Sequence, residues 1–313
     1  MKEYTSELRL MGSNFQFILV ADSAKTGQQL LQECIAEVRR IEKLLTEFDS
    51  NSETSLINQH AGISTVQVSP ETYQLLQRCV NISKLTQGYF DITTGILKKL
   101  YHFRNAVFEM PSQKIITECA EKTGYKNIRL LGNNRVYLEK RGMHIGFGAI
   151  GKGYAAHKTR ELMQAKRVAG GVINASGDLC AWGVKQDGTQ WKAGIANPDH
   201  PDQILLWFPL NGMSIATSGD YEQYFEFKGI RYSHNINPRT GRPVAGIKSV
   251  SVISPNAELS DALATAAAVM GVNEGLNLIN RLPRTHCIMI DSQNKIHCSK
   301  KIERTKFSKN FAL

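Results

Sequence analysis

Residues 168–217 read VAGGVINASGDLCAWGVKQDGTQWKAGIANPDHPDQILLWFPLNGMSIAT. This stretch holds five runs of strand length, which are separated by turn residues and not by segments of helical periodicity. The five runs are Val168–Asn174, Leu179–Val184, Trp191–Ala196, Ile204–Pro209 and Met213–Thr217. Consecutive strands without helices between them argue against regular βαβ alternation and indicate mixed or antiparallel sheets.

The flanking sequence adds helices and further strands. Apolar residues at three- and four-residue steps predict four helices: Leu31–Phe48, Pro70–Leu85, Lys152–Gln164 and Leu259–Ile279. Further runs predict strands at Asn14–Ala21, Ile128–Leu131, Arg135–Glu139, Met143–Gly146, Tyr224–Phe227 and Ser249–Ile253, and a hairpin around Asp291. We therefore predict an α+β fold with mixed or largely antiparallel sheets and flanking helices. No linker is visible, so we expect one domain over residues 5–299 and a basic tail over 300–313.

Composition limits the class of protein. Of 313 residues, 42% are hydrophobic and 21% are charged, and the formal net charge is +10. These values are typical of globular proteins, and no stretch approaches the roughly 18 apolar residues of a membrane span. A basic surplus suits nucleic acid, a membrane surface or an anionic small molecule. Outside the tail, aromatic residues do not alternate with basic ones as stacking platforms, which disfavours nucleic acid.

The six cysteines are scattered, with no pair closer than eleven residues. This spacing excludes CxxC and the usual zinc-ligand patterns, so we expect buried free thiols in a reducing compartment. The N-terminal MKEYTSE is polar and is followed by no apolar segment of a signal peptide. We therefore expect a cytoplasmic protein.

A glycine-rich segment, GFGAIGKG, covers residues 146–153. It matches the GxGxxG pattern of dinucleotide-binding folds, and it nearly matches a phosphate-binding P-loop. The first interpretation lacks βαβ units around it, and the second lacks the Ser or Thr that would hold Mg²⁺, because Gly153 stands there. What remains is a glycine turn at a helix start beside Lys152, which suits an anion. A turn that merely needs glycine conformations is the alternative.

Two other stretches carry polar groups. Asp261 and Thr265 are four residues apart, so their oxygens lie on one face of a helix. Such hard oxygens suit Mg²⁺, although helix capping by Ser260 and Asp261 would also explain them. His234 comes at the end of a strand, close to a turn at Asn237-Pro238. An imidazole there is a candidate general base or a structural histidine.

Taken in order, these stretches resemble the FAD:protein FMN transferase (ApbE) family over most of the chain. The matching segments are MG (11–12), NSETSLIN (51–58), GYFDITTG (88–95), GAIGKGY (148–154), NASGD (174–178), TSGDY (217–221), YSH (232–234) with PRTG (238–241), and DALAT (261–265).

The resemblance implies an enzyme that uses FAD as substrate and Mg²⁺ as cofactor. It would transfer FMN to a Ser or Thr hydroxyl of an acceptor protein through a phosphoester bond and release AMP. By the same resemblance, the residues that contact FAD are Met11, Tyr89, Phe90, Asp91, Lys152 and the backbone near Asn235. The metal ligands are the carbonyl of Ala149 with Asp261 and Thr265, and His234 takes the place of the catalytic histidine.

The chain departs from the family at two positions. Many relatives have Asp where Gly146 stands, so the contact of that carboxylate is absent or is supplied elsewhere. The usual His-Ile-Ile-Asp-Pro is His234-Asn-Ile-Asn237-Pro238 here, which removes a negative charge close in sequence to the proposed base. Alternatives to FMN transfer are an Mg²⁺-dependent FAD pyrophosphatase, a non-catalytic flavin-binding protein and a basic nucleic-acid-binding protein.

Overall fold

An eight-stranded antiparallel sheet forms the centre of the computed structural model, which describes residues 1–101, 103, 110–200, 202–210, 212–220, 223–300 and 302. The strands of this part of the chain are β1 (Lys2–Leu10), β2 (Ser13–Ala21), β3 (Val66–Gln67), β4 (Ile128–Leu131), β5 (Arg135–Leu138), β6 (Gly170–Ala175), β7 (Asp178–Gly183), β8 (Lys192–Ala196), β9 (Ile204–Pro209), β10 (Ser214–Gly219), β11 (Tyr224–Phe227), β12 (Ile230–Asn237), β13 (Arg242–Ala245), β14 (Ile247–Ser254), β15 (His286–Asp291) and β16 (Ile296–Cys298). The helices are α1 (Ala24–Leu45), α2 (Glu53–Gln59), α3 (Pro70–Leu85), α4 (Gly95–Lys98), α5 (Gln113–Ala120), α6 (Gly151–Ala165), α7 (Ala257–Met270) and α8 (Val272–Arg281), with 3₁₀ turns at Ile92–Thr94 and Tyr125–Asn127.

The central sheet has the strand order β1-β2-β6-β7-β10-β14-β15-β16, and each neighbouring pair is antiparallel. Three smaller antiparallel sheets join β11-β12-β13, β3-β5-β4 and β8-β9. The predicted α+β class is confirmed, and the sheets are antiparallel throughout the described residues. Apart from the segment 143–146, each strand expected from the sequence lies within two residues of its observed bounds.

Alternation along the strands divides the core between the two faces of the sheet. On β2, Phe15, Phe17 and Leu19 pack among the helices α1, α3 and α6. Val20 faces the other side, where the β8-β9 hairpin contributes Ile195 and Leu206 to a second cluster. Side chains of successive strand residues point to opposite faces, so β2 contributes to the hydrophobic clusters on both sides of the sheet.

Strand β1 was not expected from the sequence. It pairs with β2 along its whole length and lies at the edge of the sheet, where most of its side chains are exposed or half-buried. An exposed edge strand carries charged residues and lacks the apolar run that marks a strand in the core. Met11 and Gly12 form the connecting turn, both with positive φ (50° and 72°), as a type I′ hairpin turn requires.

Two predictions near the site are wrong in detail. Residues 143–146 form no strand, because Asn58 takes the place of a neighbouring strand: its side chain accepts from the N–H of Ile145 and donates to the Ile145 carbonyl. The late helix is two helices, since Gly271, at φ 80°, ends α7 and begins α8. Positive φ at this glycine interrupts the helical path.

The remaining sequence expectations concern cysteines and chain ends. All six cysteines are free thiols, and four of them are buried. The tail mostly lies outside the described residues, although Lys300 donates its N–H to Asn280 and Ile302 packs in the second core cluster. The domain bounds 5–299 stay a prediction. Among the described residues, no helix combines the length and the apolar character needed to cross a bilayer.

Candidate active site

A cavity of about 600 Å³ lies where the β1-β2 turn, the end of α1, the start of α6 and the ends of β10 and β12 meet helix α7. Five of the ten residues that the sequence nominates line this cavity: Met11, Lys152, His234, Asp261 and Thr265. They come from four separate parts of the chain, and the fold brings them into one cavity. This convergence supports a common functional role for the five residues.

Helix α6 begins at the cavity wall without a side-chain cap of its own. Its first turn is instead capped from α7, because Asp261 Oδ2 accepts a hydrogen bond from the Gly153 N–H at 2.9 Å. Gly153 has no room for a side chain: a Cβ there would lie 2.4 Å from the Ala257 carbonyl oxygen. The P-loop interpretation therefore fails sterically, since the Ser or Thr it requires would collide with α7.

The alternative explanation, in which Ser260 and Asp261 cap their own helix α7, is also wrong. Helix α7 begins at Ala257 with Asn256 as its N-cap, and Ser260 shares a hydrogen bond with Ser254 instead. Asp261 lies in the second turn, and it and Thr265 both line the cavity. The side-chain oxygens of one helix face therefore meet the N-terminus of another helix.

Lys152 is held in place by a buried carboxylate. Its Nζ lies 3.4 Å from Oδ2 of Asp178, whose side chain is 3% exposed. Asp178 follows the tight turn between β6 and β7, and its Oδ1 accepts from the Thr217 N–H at 3.2 Å. Burial raises the pKa of Asp178, while Lys152 opposes that shift. The lysine thus brings positive charge to the cavity with its direction fixed by an ion pair.

His234 lies on β12, with its backbone N–H bonded to the Gln223 carbonyl. Its Nδ1 is buried and finds no hydrogen-bond partner among the described residues. Burial, together with the positive charges of Lys98 and Lys152, lowers the pKa of His234 to about 3. The ring is therefore neutral at pH 7 and a weak base in the unliganded protein.

Met11 and Ala149 flank the start of α6. Met11 reaches from the hairpin turn towards Gly151, where a Cβ would lie 3.5 Å from the Met11 Cε. Ala149 is in the turn before α6, next to the cavity-lining Gly148. The three residues predicted as metal ligands thus come from the turn before α6 (Ala149) and from the second and third turns of α7 (Asp261 and Thr265).

Known protein families and structures match the part of the chain that forms this cavity. The family model described as the ApbE family matches residues 11–289, which include every segment of this cavity. The chain belongs to the ApbE family. It is 28% identical over 282 residues to the FAD:protein FMN transferase of Escherichia coli K12, covering 88% of this chain and 80% of the relative. It is 29% identical over 308 residues to one from Klebsiella pneumoniae, covering 97% and 94%.

Solved ApbE structures share the fold. The ApbE protein of Thermotoga maritima superposes with a TM-score of 0.87 at 29% identity, over 96% of this chain and 97% of that one. The flavinyl transferase ApbE of Pseudomonas stutzeri, in its apo form, gives a TM-score of 0.84 at 27% identity, over 96% of each chain.

Not every residue nominated from the ApbE resemblance lies in the cavity wall. Phe90 is buried in the main core. The Asp91 carboxylate accepts from the Thr93 N–H and hydroxyl and from the Tyr125 N–H, and burial raises its pKa. Tyr89 packs under the Arg239 guanidinium, 4.0 Å from the ring centre. These three side chains have structural partners, and their contact with FAD stays a prediction.

Asn235 and Asn237 have roles on the strand that carries His234. The amide of Asn235 donates to Ser218 Oγ, which belongs to a cavity-lining residue, at 2.9 Å. Asn237 Oδ1 accepts from the Arg239 N–H at 2.9 Å and so forms the turn after β12. An Asp would make the same bond, so the departure at residue 237 leaves the backbone of the turn unchanged.

Several residues that line the cavity were not nominated from the sequence, among them Glu47, Phe48 and Lys98. Phe48 continues the apolar spacing of α1, but the helix ends at Leu45 and the Phe48 side chain is 92% exposed. Lys98 ends the short helix α4, and Glu47 follows α1. No local pattern marks Glu47 or Lys98, because their importance comes from neighbours distant in sequence.

Proposed function

We propose that this protein is an FAD:protein FMN transferase, which moves FMN from FAD to a Ser or Thr hydroxyl of an acceptor protein and releases AMP. Its relatives in Escherichia coli and Klebsiella pneumoniae carry that name. The observation that carries the proposal is one cavity lined by Lys152, by the Asp261–Thr265 pair and by His234. This set would supply charge neutralisation, metal ligands and a base, which are the requirements of phosphoryl-type transfer.

The donor set of the cavity fits Mg²⁺. The Asp261 carboxylate and the Thr265 hydroxyl are hard oxygens on one wall, and the Ala149 carbonyl belongs to the turn before α6. Although the described residues contain no cluster of three or more His, Cys, Asp or Glu suited to a metal, a Mg²⁺ site does not need one. Mg²⁺ takes few protein ligands and completes its shell with water or phosphate oxygens. When bound, it would polarise the pyrophosphate and neutralise its charge.

The start of α6 and Lys152 would bind the pyrophosphate. The N-terminus of a helix carries partial positive charge, and Lys152 adds a full charge within the same cavity. Asp178 holds the lysine through its 3.4 Å contact, so little reorganisation is needed when the substrate binds.

His234 would accept the proton of the acceptor hydroxyl. In the step, the hydroxyl oxygen forms a bond to the phosphorus of the FMN half while the bond from that phosphorus to the AMP oxygen breaks. The proton passes to the imidazole and AMP leaves. Because the pKa of His234 is lowered, the ring is unprotonated at pH 7 and able to accept. The negative charge of the bound pyrophosphate would offset Lys98 and Lys152 and make the imidazole a stronger base.

The test is incubation with FAD, MgCl₂ and candidate acceptor proteins, followed by intact-mass analysis and measurement of free AMP and FMN. We expect an acceptor to gain the mass of FMN less one water, with one AMP released per transfer, and EDTA to stop the reaction. Free FMN and AMP with an unmodified acceptor would indicate a pyrophosphatase instead. Bound, intact FAD would indicate a non-catalytic flavin-binding protein.

A further inference from the structure

Glu47 is a carboxylate in the cavity wall for which the proposed mechanism has no role. It follows the end of α1, and its side chain is 28% exposed. The carboxylate pairs with the Nε2 of His144, and Lys99 Nζ lies 3.3 Å from the same nitrogen. The bond to His144, with Lys98 and Lys99 near, lowers the pKa of Glu47, so the group is ionised at neutral pH.

Gly146 lies directly beside this carboxylate. A Cβ built on Gly146 would be 3.4 Å from Glu47 Oε1. A side chain at residue 146 would therefore start in the space that the Glu47 carboxylate borders. Glu47 brings its carboxylate to this place from a segment about a hundred residues away in sequence.

The chemistry of a carboxylate limits what it can bind. An ionised carboxylate only accepts hydrogen bonds, and a phosphate at neutral pH has little to donate and repels it. Lys152, which Asp178 holds at the start of α6, suits the phosphates, whereas Lys98 lies near Glu47 itself and favours its ionised form. Glu47 therefore suits a neutral part of the ligand that carries O–H or N–H donors.

We propose that Glu47 is a substrate-binding residue, whose carboxylate accepts a hydrogen bond from a hydroxyl or N–H group of the bound dinucleotide next to Gly146. The inference rests on the proposed function, because it takes FAD as the ligand. It assigns phosphate recognition to Lys152 and the start of α6, and recognition of a donor-bearing part of FAD to Glu47.

The test measures FAD affinity by flavin fluorescence in Mg²⁺ without acceptor protein, so that transfer does not enter. Glu47→Ala is expected to weaken binding about tenfold or more, since a hydrogen bond to a charged group is lost. Adding Gly146→Asp to Glu47→Ala is expected to restore affinity to within about threefold of the unaltered protein. Glu118→Ala, which removes an exposed carboxylate on α5, is the matched control and leaves affinity unchanged.

The rescue separates binding from a structural role. If Glu47 only held His144, an Asp at residue 146 would not recover affinity, and that result would overturn the proposal. Unchanged affinity of Glu47→Ala would also overturn it. If Glu47→Ala does not fold, Glu47→Gln can still bond to His144 and should bind FAD at least about threefold more weakly, with unchanged affinity again contradicting the proposal. Failure of the unaltered protein to bind FAD would instead reject the proposed function.

Discussion

The two walls of the cavity are built by different means. The helix wall consists of the start of α6 with Asp261 and Thr265 of α7, and backbone contacts fix it: Asp261 caps α6, and Gly153 packs against Ala257. The strand wall consists of His234 on β12 with Lys98 and Glu47, and no regular element joins these three. There, burial and neighbouring charges determine the chemistry, as the lowered pKa of His234 shows.

The helix wall is thus determined mainly by packing geometry, and the strand wall mainly by electrostatics. Changes in the helix wall should alter metal binding or stability because they disturb fixed contacts. Changes in the strand wall should alter proton affinity or ligand affinity and leave the fold intact.

The largest effect is expected from Asp261→Asn in the helix wall. The Asn oxygen can still accept from the Gly153 N–H, so the fold should persist, but the proposed metal loses its carboxylate. We expect FMN transfer to slow about a thousandfold or more, because the metal's stabilisation of phosphate charge is lost. Transfer rate and thermal midpoint are measured together. Transfer at the unaltered rate would remove Asp261 from the metal site.

His234→Ala tests the strand wall. Loss of the general base should slow transfer about a hundredfold or more. FAD affinity should change little, because the imidazole is neutral and is assigned to the acceptor hydroxyl. Tyr232→Phe, on the same strand, serves as the control and should transfer normally. An undiminished rate for His234→Ala would show that another group takes the proton.

Gly153→Ala should damage stability. The new Cβ would lie 2.4 Å from the Ala257 oxygen and 2.7 Å from the Asp261 Cβ, so α6 and α7 must separate. We expect unfolding free energy to fall by about 1–3 kcal/mol in urea titrations. Gly148→Ala is the matched control, because its Cβ meets nothing within 4 Å and should cost under about 0.5 kcal/mol. Equal effects of the two changes would contradict the packing argument.

Lys98→Met should give the smallest effect, a shift in proton affinity. Removing a positive charge favours the imidazolium, so the pKa of His234 should rise from about 3, as NMR titration would show. The acid limb of the transfer profile should move to higher pH in the same direction. Lys126→Met, an exposed residue, is the control. An unmoved His234 pKa would mean that Lys98 does not contribute and that burial and Lys152 lower it.

Local sequence patterns predicted most of the fold and the helix wall. Periodicity gave the bounds of the strands, and the four-residue spacing of Asp261 and Thr265 correctly placed both on one face. The exception is instructive: Ser260 satisfies the local rule for a helix cap, but α7 starts one turn earlier because Asn256 caps it. Competing caps a few residues apart are decided by packing, which spacing does not contain.

The strand wall depended on information that the sequence does not display locally. Glu47 and Gly146 are about a hundred residues apart, and nothing in either segment indicates that one borders the other. The lowered pKa of His234 requires knowledge of its burial and of Lys98. The motif around Phe90 likewise does not reveal that its side chain is buried in the main core, while its contact with FAD stays a prediction.

A crystal structure of the complex with FAD and Mg²⁺ tests most directly whether the two walls act on one ligand. We expect the pyrophosphate to contact Lys152 within this cavity and Mg²⁺ to be held by oxygens of Asp261 and Thr265. This expectation would be contradicted by FAD bound outside this cavity, or by a metal held by other residues.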